Sequence, residues 1–243
     1  MFKRKSICFF LVVFSFIIGN ISFSKPASNE ADFLVYKVNP KLQELKLFWK
    51  DDNNKPFKSI LNLKSWLETR NKKLVFAANA GMYQVDNSPL GLYIEERKQI
   101  TPLNVRNAKG NFYWKPNGVL FVDTDNNAFV CNTENFVNNG KIKYATQSGP
   151  MLVFDGKIHP EFKKGSTNIN IRNGVGVLPN NELVFVMSKK EMNLYDFATY
   201  FKDAGCKTAL SFDGFVCRTY LPGKNWVQTD GNFGVIVAVT AEQ

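Results

Sequence analysis

Short apolar runs, many alternating with polar residues, recur along most of this chain. Runs at 33–38, 45–49, 74–78, 118–123, 128–131, 151–154, 174–178, 183–187, 208–212 and 233–240 predict β-strands. Thr124-Asp125-Asn126-Asn127 and Pro179-Asn180-Asn181-Glu182 each separate two such runs and predict hairpins. Two segments have helical spacing instead. Phe57, Ile60, Leu61 and Leu67 fall on one helical face, with Asn53 or Asn54 as a candidate cap. The stronger helix starts after Asn193, carries Asp196 in its first turn and stops at Gly205. Leu194, Phe197, Ala198 and Phe201 form its apolar face. Many short strands with few helices predict an α+β fold: a single domain of mixed, largely antiparallel β-sheet with a few flanking helices.

The N-terminus follows a different pattern. Lys3-Arg4-Lys5 precedes an apolar stretch at 7–18, and Ser22-Phe23-Ser24 supplies a small-x-small cleavage site. The apolar stretch is short for a bilayer span. Residues 1–24 therefore read as a signal peptide, 25–32 as a polar linker and 33–243 as the domain. The expected product is exported, periplasmic or secreted, with no membrane span after cleavage. The formal charge is +10, and loss of the three N-terminal cations leaves the chain basic. That charge suits anionic partners or simply solubility. No Lys/Arg block interleaves with aromatics and no zinc-finger spacing occurs, so no nucleic-acid partner is expected. The 22 Phe predict a well-filled core. Cys131, Cys206 and Cys217 have no metal-site spacing. Cys206 and Cys217 flank a strand and can be read either as a pair or as buried free thiols. The sequence sets no oligomeric state.

Candidate chemistry gathers in four motifs, each ending a strand-like run: Asn79-Ala80-Gly81-Met82, Gln147-Ser148-Gly149-Pro150, Arg172-Asn173-Gly174-Val175-Gly176 and Phe212-Asp213-Gly214. Glycine after a strand permits a tight turn or close approach to a ligand. Asp213 has the chemistry of a general acid, base, nucleophile or metal ligand, or of a turn carboxylate capping its own backbone. Arg172 offers a guanidinium to phosphate, or to a surface ion pair. Asn79 can exchange hydrogen bonds with sugar hydroxyls, or occupy a turn. Ser148 can donate to a phosphate oxygen, and Lys115 in Lys115-Pro116-Asn117-Gly118 adds a cation. His159, the chain's one histidine, is a candidate substrate-binding group that any His-dependent mechanism must use, or a loop residue before Pro160. No cofactor or metal is required, although Asp213 with Asn oxygens has the chemistry to bind Ca²⁺.

Taken together the motifs resemble a family. The run from Phe76 to Tyr83, Pro89-Leu90-Gly91-Leu92-Tyr93, Gly110-Asn111-Phe112, Lys115-Pro116-Asn117-Gly118-Val119, the segment from Ala145 to Met151, Arg172-Asn173-Gly174-Val175-Gly176 and Asp213-Gly214 closely resemble the bacterial branch of the phosphodiester glycosidases. The resemblance spans about residues 70–240 in consistent order. It implies a sugar-phosphate substrate cleaved at its glycosidic bond to leave a phosphomonoester. It implies that Asn79, Arg172 and Asp213 belong to the pocket, with Gly81, Ser148 and Gly214 shaping it. Met82 departs from the Phe of many relatives, and Cys217 from their Ser.

The reaction this implies needs a stabilised departing phosphate and a nucleophile at the anomeric carbon. The expected roles are Arg172 for the phosphate, helped by Lys115 or Ser148; Asp213 as base or nucleophile; and Asn79 for sugar hydroxyls. A conventional glycosidase needs a second carboxylate, for which Asp86, Glu95 and Asp196 are candidates. The competing expectation is a non-catalytic module that binds anionic glycans with the same side chains. Cleavage at the P–O bond by a metal cluster would ask for several His and Asp, which the sequence does not group.

Overall fold

The computed structural model describes residues 30–213 and 216–243. Strands β1 (Phe33–Val38) and β2 (Glu44–Phe48) lead to helix α1 (Ile60–Glu68) and β3 (Lys72–Asn79). Next come β4 (Tyr93–Glu95), β5 (Lys98–Thr101), β6 (Gly118–Asp123), β7 (Ala128–Asn132) and β8 (Ile142–Ser148). They are followed by β9 (Met151–Phe154), β10 (Lys157–Ile158), β11 (Asn173–Val177) and β12 (Leu183–Ser188). Helix α2 (Leu194–Asp203), β13 (Thr208–Ser211), β14 (Thr219–Leu221), β15 (Trp226–Val227) and β16 (Ile236–Glu242) complete the order.

The described strands form three sheets, ordered β1-β12-β11-β13-β9-β10, β15-β14-β3-β16-β2 and β5-β4-β8-β6-β7. Every described strand pair is antiparallel. The expected mixed sheet is thus three antiparallel sheets. The two expected hairpins are present as β6–β7 and β11–β12.

One central core fills the space between the sheets. The first sheet supplies Leu34, Val175 and Phe185, the second Leu47, Phe76 and Val237, and the third Tyr93, Leu120 and Tyr144. Strand alternation sends the other side chains outward, where helices cover those of the first two sheets. Phe197 and Phe201 of α2 pack with Leu152, Val184 and Ala209 on the first sheet. Leu63 and Leu67 of α1 pack with Ile236 and Ala238 on the second. Among the described residues no helix is long and apolar enough to cross a membrane.

Helix α2 has its expected boundaries. The Asn193 side chain accepts from Asp196 N at 2.9 Å, and Gly205 turns the chain away at φ +84°. Helix α1 differs. Its N-cap is Ser59, whose Oγ accepts from Asn62 N, rather than Asn53 or Asn54. Lys58 sits in the left-handed region at φ +61°, so no helix can run through it from the earlier asparagines. Phe57 lies outside the helix, Leu61 is exposed, and Leu63 takes its place on the buried face.

Candidate active site

The four glycine-linked motifs come from all three sheets and meet at one end of the central core. Asp213 N donates to Ala80 O, Phe212 N to Asn173 O at 3.0 Å, and Ser211 N to Pro150 O at 3.0 Å. Gly81 presses on β8. A Cβ at that position would lie 2.1 Å from Thr146 Oγ1 and 2.8 Å from Gln147 O, so only glycine fits without displacement. Gly214 lies outside the described residues.

Asp213 follows the last residue of β13 by two and is buried. Its Oδ2 accepts from Val216 N at 3.3 Å. Tyr83 faces it. The Tyr83 hydroxyl donates to Asn232 O at 2.9 Å, and burial, with the nearby Asp213 charge adding to it, pushes its pKa up to about 12. Tyr83 therefore keeps its proton at neutral pH beside the carboxylate. Sequence reasoning gave Tyr83 no role. Its only signal was its place at the end of the Asn79-Ala80-Gly81-Met82 turn.

Arg172 is buried at 2 % exposure. It directly precedes β11, whose first residue, Asn173, accepts through its O from Phe212 N, next to Asp213. Among the described residues the guanidinium hydrogen-bonds only neutral oxygens: Nε donates to Met192 O at 3.1 Å, and Nη2 to Asn168 O at 3.0 Å and Asn168 Oδ1 at 3.2 Å. Nη1 has no protein partner among the described residues, and no described carboxylate forms an ion pair with Arg172. Burial pulls its pKa down, opposed by the Cys217 thiol. A buried cation without a counter-charge is costly, and an anionic ligand offsets that cost. The surface ion-pair reading of Arg172 is therefore corrected.

Asn79 and Asn173 tie the strand ends together. Asn173 Nδ2 donates to both Asn79 O and Asn79 Oδ1 at 3.0 Å. Asn79 Oδ1 also accepts from Arg218 N at 2.9 Å, and its Nδ2 donates to Val216 O at 2.5 Å. Oδ1 is thus committed to the protein and one N–H remains. Cys217 Sγ lies within 3.4 Å of Ile171 O, Asn173 Oδ1 and Asp213 O. Burial, with the Asp213 charge adding to it, pushes this thiol up to about 12 against the pull of Arg172 and Arg218. It is an inert brace across the Asp213 turn. Cys206 belongs to the α2 layer while Cys217 faces the central core, and both are free.

Ser148 ends β8 fully buried, and its Oγ has no partner among the described residues. Lys115 is exposed, with Nζ 3.4 Å from Val105 O. His159 lies in the loop after β10, as expected, and is buried there. Glu161 N donates to Nδ1, so Nε2 carries the proton and donates to Lys115 O at 3.0 Å. The ring stacks on Phe162, and burial lowers its pKa. It packs beneath the Lys115 turn as a neutral group. The candidate second carboxylates do not join the cluster. Asp86 caps Ser88, Asp196 completes the α2 cap, and Glu95 stands with Tyr93 further along the third sheet. Among the described residues no three His, Cys, Asp or Glu gather as a metal site.

Comparison with known proteins accords with this arrangement. Residues 72–235 match the phosphodiester glycosidase family. The chain is 34% identical over 189 residues to the uncharacterized protein YigE of Escherichia coli (strain K12), covering 77% of this chain and 74% of YigE. Its fold is similar to the zebrafish N-acetylglucosamine-1-phosphodiester alpha-N-acetylglucosaminidase catalytic domain auto-inhibited by its pro-peptide. That likeness has a TM-score of 0.59 at 14% identity and covers 86% of this chain and 82% of the other. A hypothetical protein from Synechocystis is similar at TM-score 0.51 and 13% identity, over 86% of this chain and 59% of that one.

Proposed function

This chain belongs to the phosphodiester glycosidase family, and we propose that it is an exported hydrolase acting on a sugar-1-phosphodiester. In this reading the glycosidic bond breaks, releasing free sugar and a phosphomonoester. The observation that carries it is the buried Arg172, its guanidinium hydrogen-bonded to Met192 and Asn168 oxygens, at the strand end next to the one that leads to Asp213.

The departing phosphate gains negative charge as the anomeric C–O bond breaks. Arg172 Nη1 meets that charge where water is largely excluded, which strengthens the interaction. Asp213 acts at the anomeric carbon, as base toward water or as nucleophile. Tyr83, which stays protonated and donates to Asn232 O, packs beside Asp213 as a neutral wall that helps place the carboxylate. The buried Ser148 hydroxyl donates to a phosphate oxygen, and Lys115 draws the anion in from the rim. Asn79, Asn173 and Cys217 act as positioning residues. A phosphomonoester leaves readily, so a second carboxylate acting as acid is not required.

The test is to incubate the purified protein with UDP-N-acetylglucosamine and a panel of sugar-1-phosphodiesters in oxygen-18 water. Label in the free sugar, lost in Asp213→Asn and Arg172→Ala, is the expected result. Label in the phosphate would overturn the assignment in favour of P–O cleavage. Binding without turnover on any diester would make the chain a glycan-binding module.

A further inference from the structure

Two neighbouring cavities, the nearer of them beside the Asp213 turn, mark out a groove. The nearer, about 330 Å³, is lined by Cys217, Arg218, Ser188, Lys189, Trp226 and Gln228 among others. Its Cys217 wall also braces Asp213 O, so the cavity begins against the turn that carries the proposed catalytic carboxylate. The farther, about 660 Å³, runs along edge strand β1 and is lined by Phe33, Lys37, Lys189, Tyr200, Lys224 and Trp226 among others. Lys189 and Trp226 line both.

The groove lies where two sheets end, β1 being the edge of the first and β15 the edge of the second. Its charge is one-sided. Lys37, Lys189 and Lys224 are exposed, and none forms an ion pair among the described residues. Arg218 is neutralised by Asp230, bonded through Nε and Nη2 at 2.8 Å. Glu191 is the one carboxylate lining either cavity. The groove also has a fixed aromatic surface: Trp226 Nε1 donates to Gln228 Oε1 at 3.1 Å, which pins the ring between the two cavities. Edge-strand lysines alone serve to block strand pairing. Here they flank two neighbouring hollows that share Lys189 and Trp226, the nearer lined by Cys217 beside the Asp213 turn, and that offer an aromatic ring and amides, the usual partners of sugar faces and hydroxyls.

We propose that this groove binds the continuation of a polymeric, phosphate-bearing glycan, so that the protein acts on chains of sugar-phosphate units rather than isolated diesters. The inference rests on the proposed activity for its substrate class. Trp226 takes a sugar ring, Gln228 and Asn170 take hydroxyls, and Lys189, Lys224 and Lys37 follow successive phosphates away from Asp213.

The experiment compares an N-acetylhexosamine-1-phosphate diester having one linkage with an oligomer of four such units. Turnover is measured with wild type, and affinity by titration calorimetry with the full-length Asp213→Asn protein at low and high salt. The oligomer is expected to bind about tenfold more tightly at low salt, an advantage that shrinks at high salt. Lys37→Gln/Lys189→Gln/Lys224→Gln is expected to remove that advantage while leaving binding and turnover of the short diester unchanged. Trp226→Ala, with folding verified by circular dichroism, should weaken the oligomer alone. Equal affinity for both ligands, or no effect of the lysine replacements, would overturn the groove. So would a neutral oligomer of the same sugar binding equally well. Light scattering that shows a dimer broken by the lysine replacements, with no length effect, would assign the edge to a second copy instead. If no diester turns over yet the length and lysine effects persist, the proposed reaction fails and the groove stands. If the short diester turns over and length gains nothing, the reaction stands and the groove falls.

Discussion

Replacing Gln147 with Ala should destabilise the protein severely without touching the proposed reacting groups. Gln147 is buried at 1 % exposure. Its Oε1 accepts from Leu92 N at 3.0 Å and Asn104 N at 2.9 Å. Its Nε2 donates to Asn104 O at 2.8 Å and Thr133 Oγ1 at 3.2 Å. The amide thereby fastens the loop at 102–117 to β8. Truncation leaves two backbone N–H groups and one carbonyl without partners, while the Thr133 hydroxyl can rotate. Each orphaned buried group costs about 1–3 kcal/mol, and partial hydration of the loop around Asn104 offsets some of the total. The expected loss is about 3–5 kcal/mol, or a fall in Tm of about 6–20 °C for a domain of this size. Urea unfolding followed by tryptophan fluorescence measures it directly, with the slope checked for two-state behaviour. A loss below about 1 kcal/mol with an unchanged slope would refute the reasoning, because water would then be replacing the amide at little cost.

Other outcomes follow from the same packing. Burial raises the Glu95 carboxyl to about 7 from an ordinary 4.5, opposed by the Tyr93 hydroxyl and aided by nearby Glu96. The folded protein therefore holds this proton more tightly, so stability is full below about pH 4.5, falls as pH rises toward 7 and levels off above it. After allowance for its partial exposure the fall is about 2 kcal/mol, and Glu95→Gln should flatten it in urea midpoints taken at acidic and neutral pH. A wild-type midpoint unchanged across that window would contradict the assignment. Gly81→Ala sets a methyl against Thr146 Oγ1 and Gln147 O and should cost about 1–3 kcal/mol. An unchanged melting temperature would show that β8 yields freely. Burial pushes Cys131 up to about 11 and Cys206 and Cys217 up to about 12. All three should therefore alkylate readily only after unfolding, and a Cys206–Cys217 disulfide found by mass spectrometry of non-reduced peptides would contradict the structure.

Several features were legible because their causes are local. Helix α2 is readable from Asn193, Asp196 and Gly205, since a cap and a stop act within a few residues. The hairpins β6–β7 and β11–β12 are readable from polar turns between alternating runs. The same locality explains the failure at α1, where the polar Asn53 and Asn54 looked like caps. The left-handed Lys58 that excludes them has no distinctive residue type.

Residue types and order alone determined the strand-rich fold class, the four strand-end motifs and the family resemblance, because periodicity, turn chemistry and motif order are carried along the chain. Only the tertiary structure decided what those motifs do to one another. It buried Arg172 among neutral oxygens, set Tyr83 against Asp213, and turned His159 into packing beneath Lys115. It also committed Asn79 Oδ1 to Asn173, 94 residues away, and to Arg218, 139 residues away. Contacts across such separations depend on how three sheets close around one core. No window of sequence holds both partners, so their side-chain chemistry becomes readable only after the sheets have met.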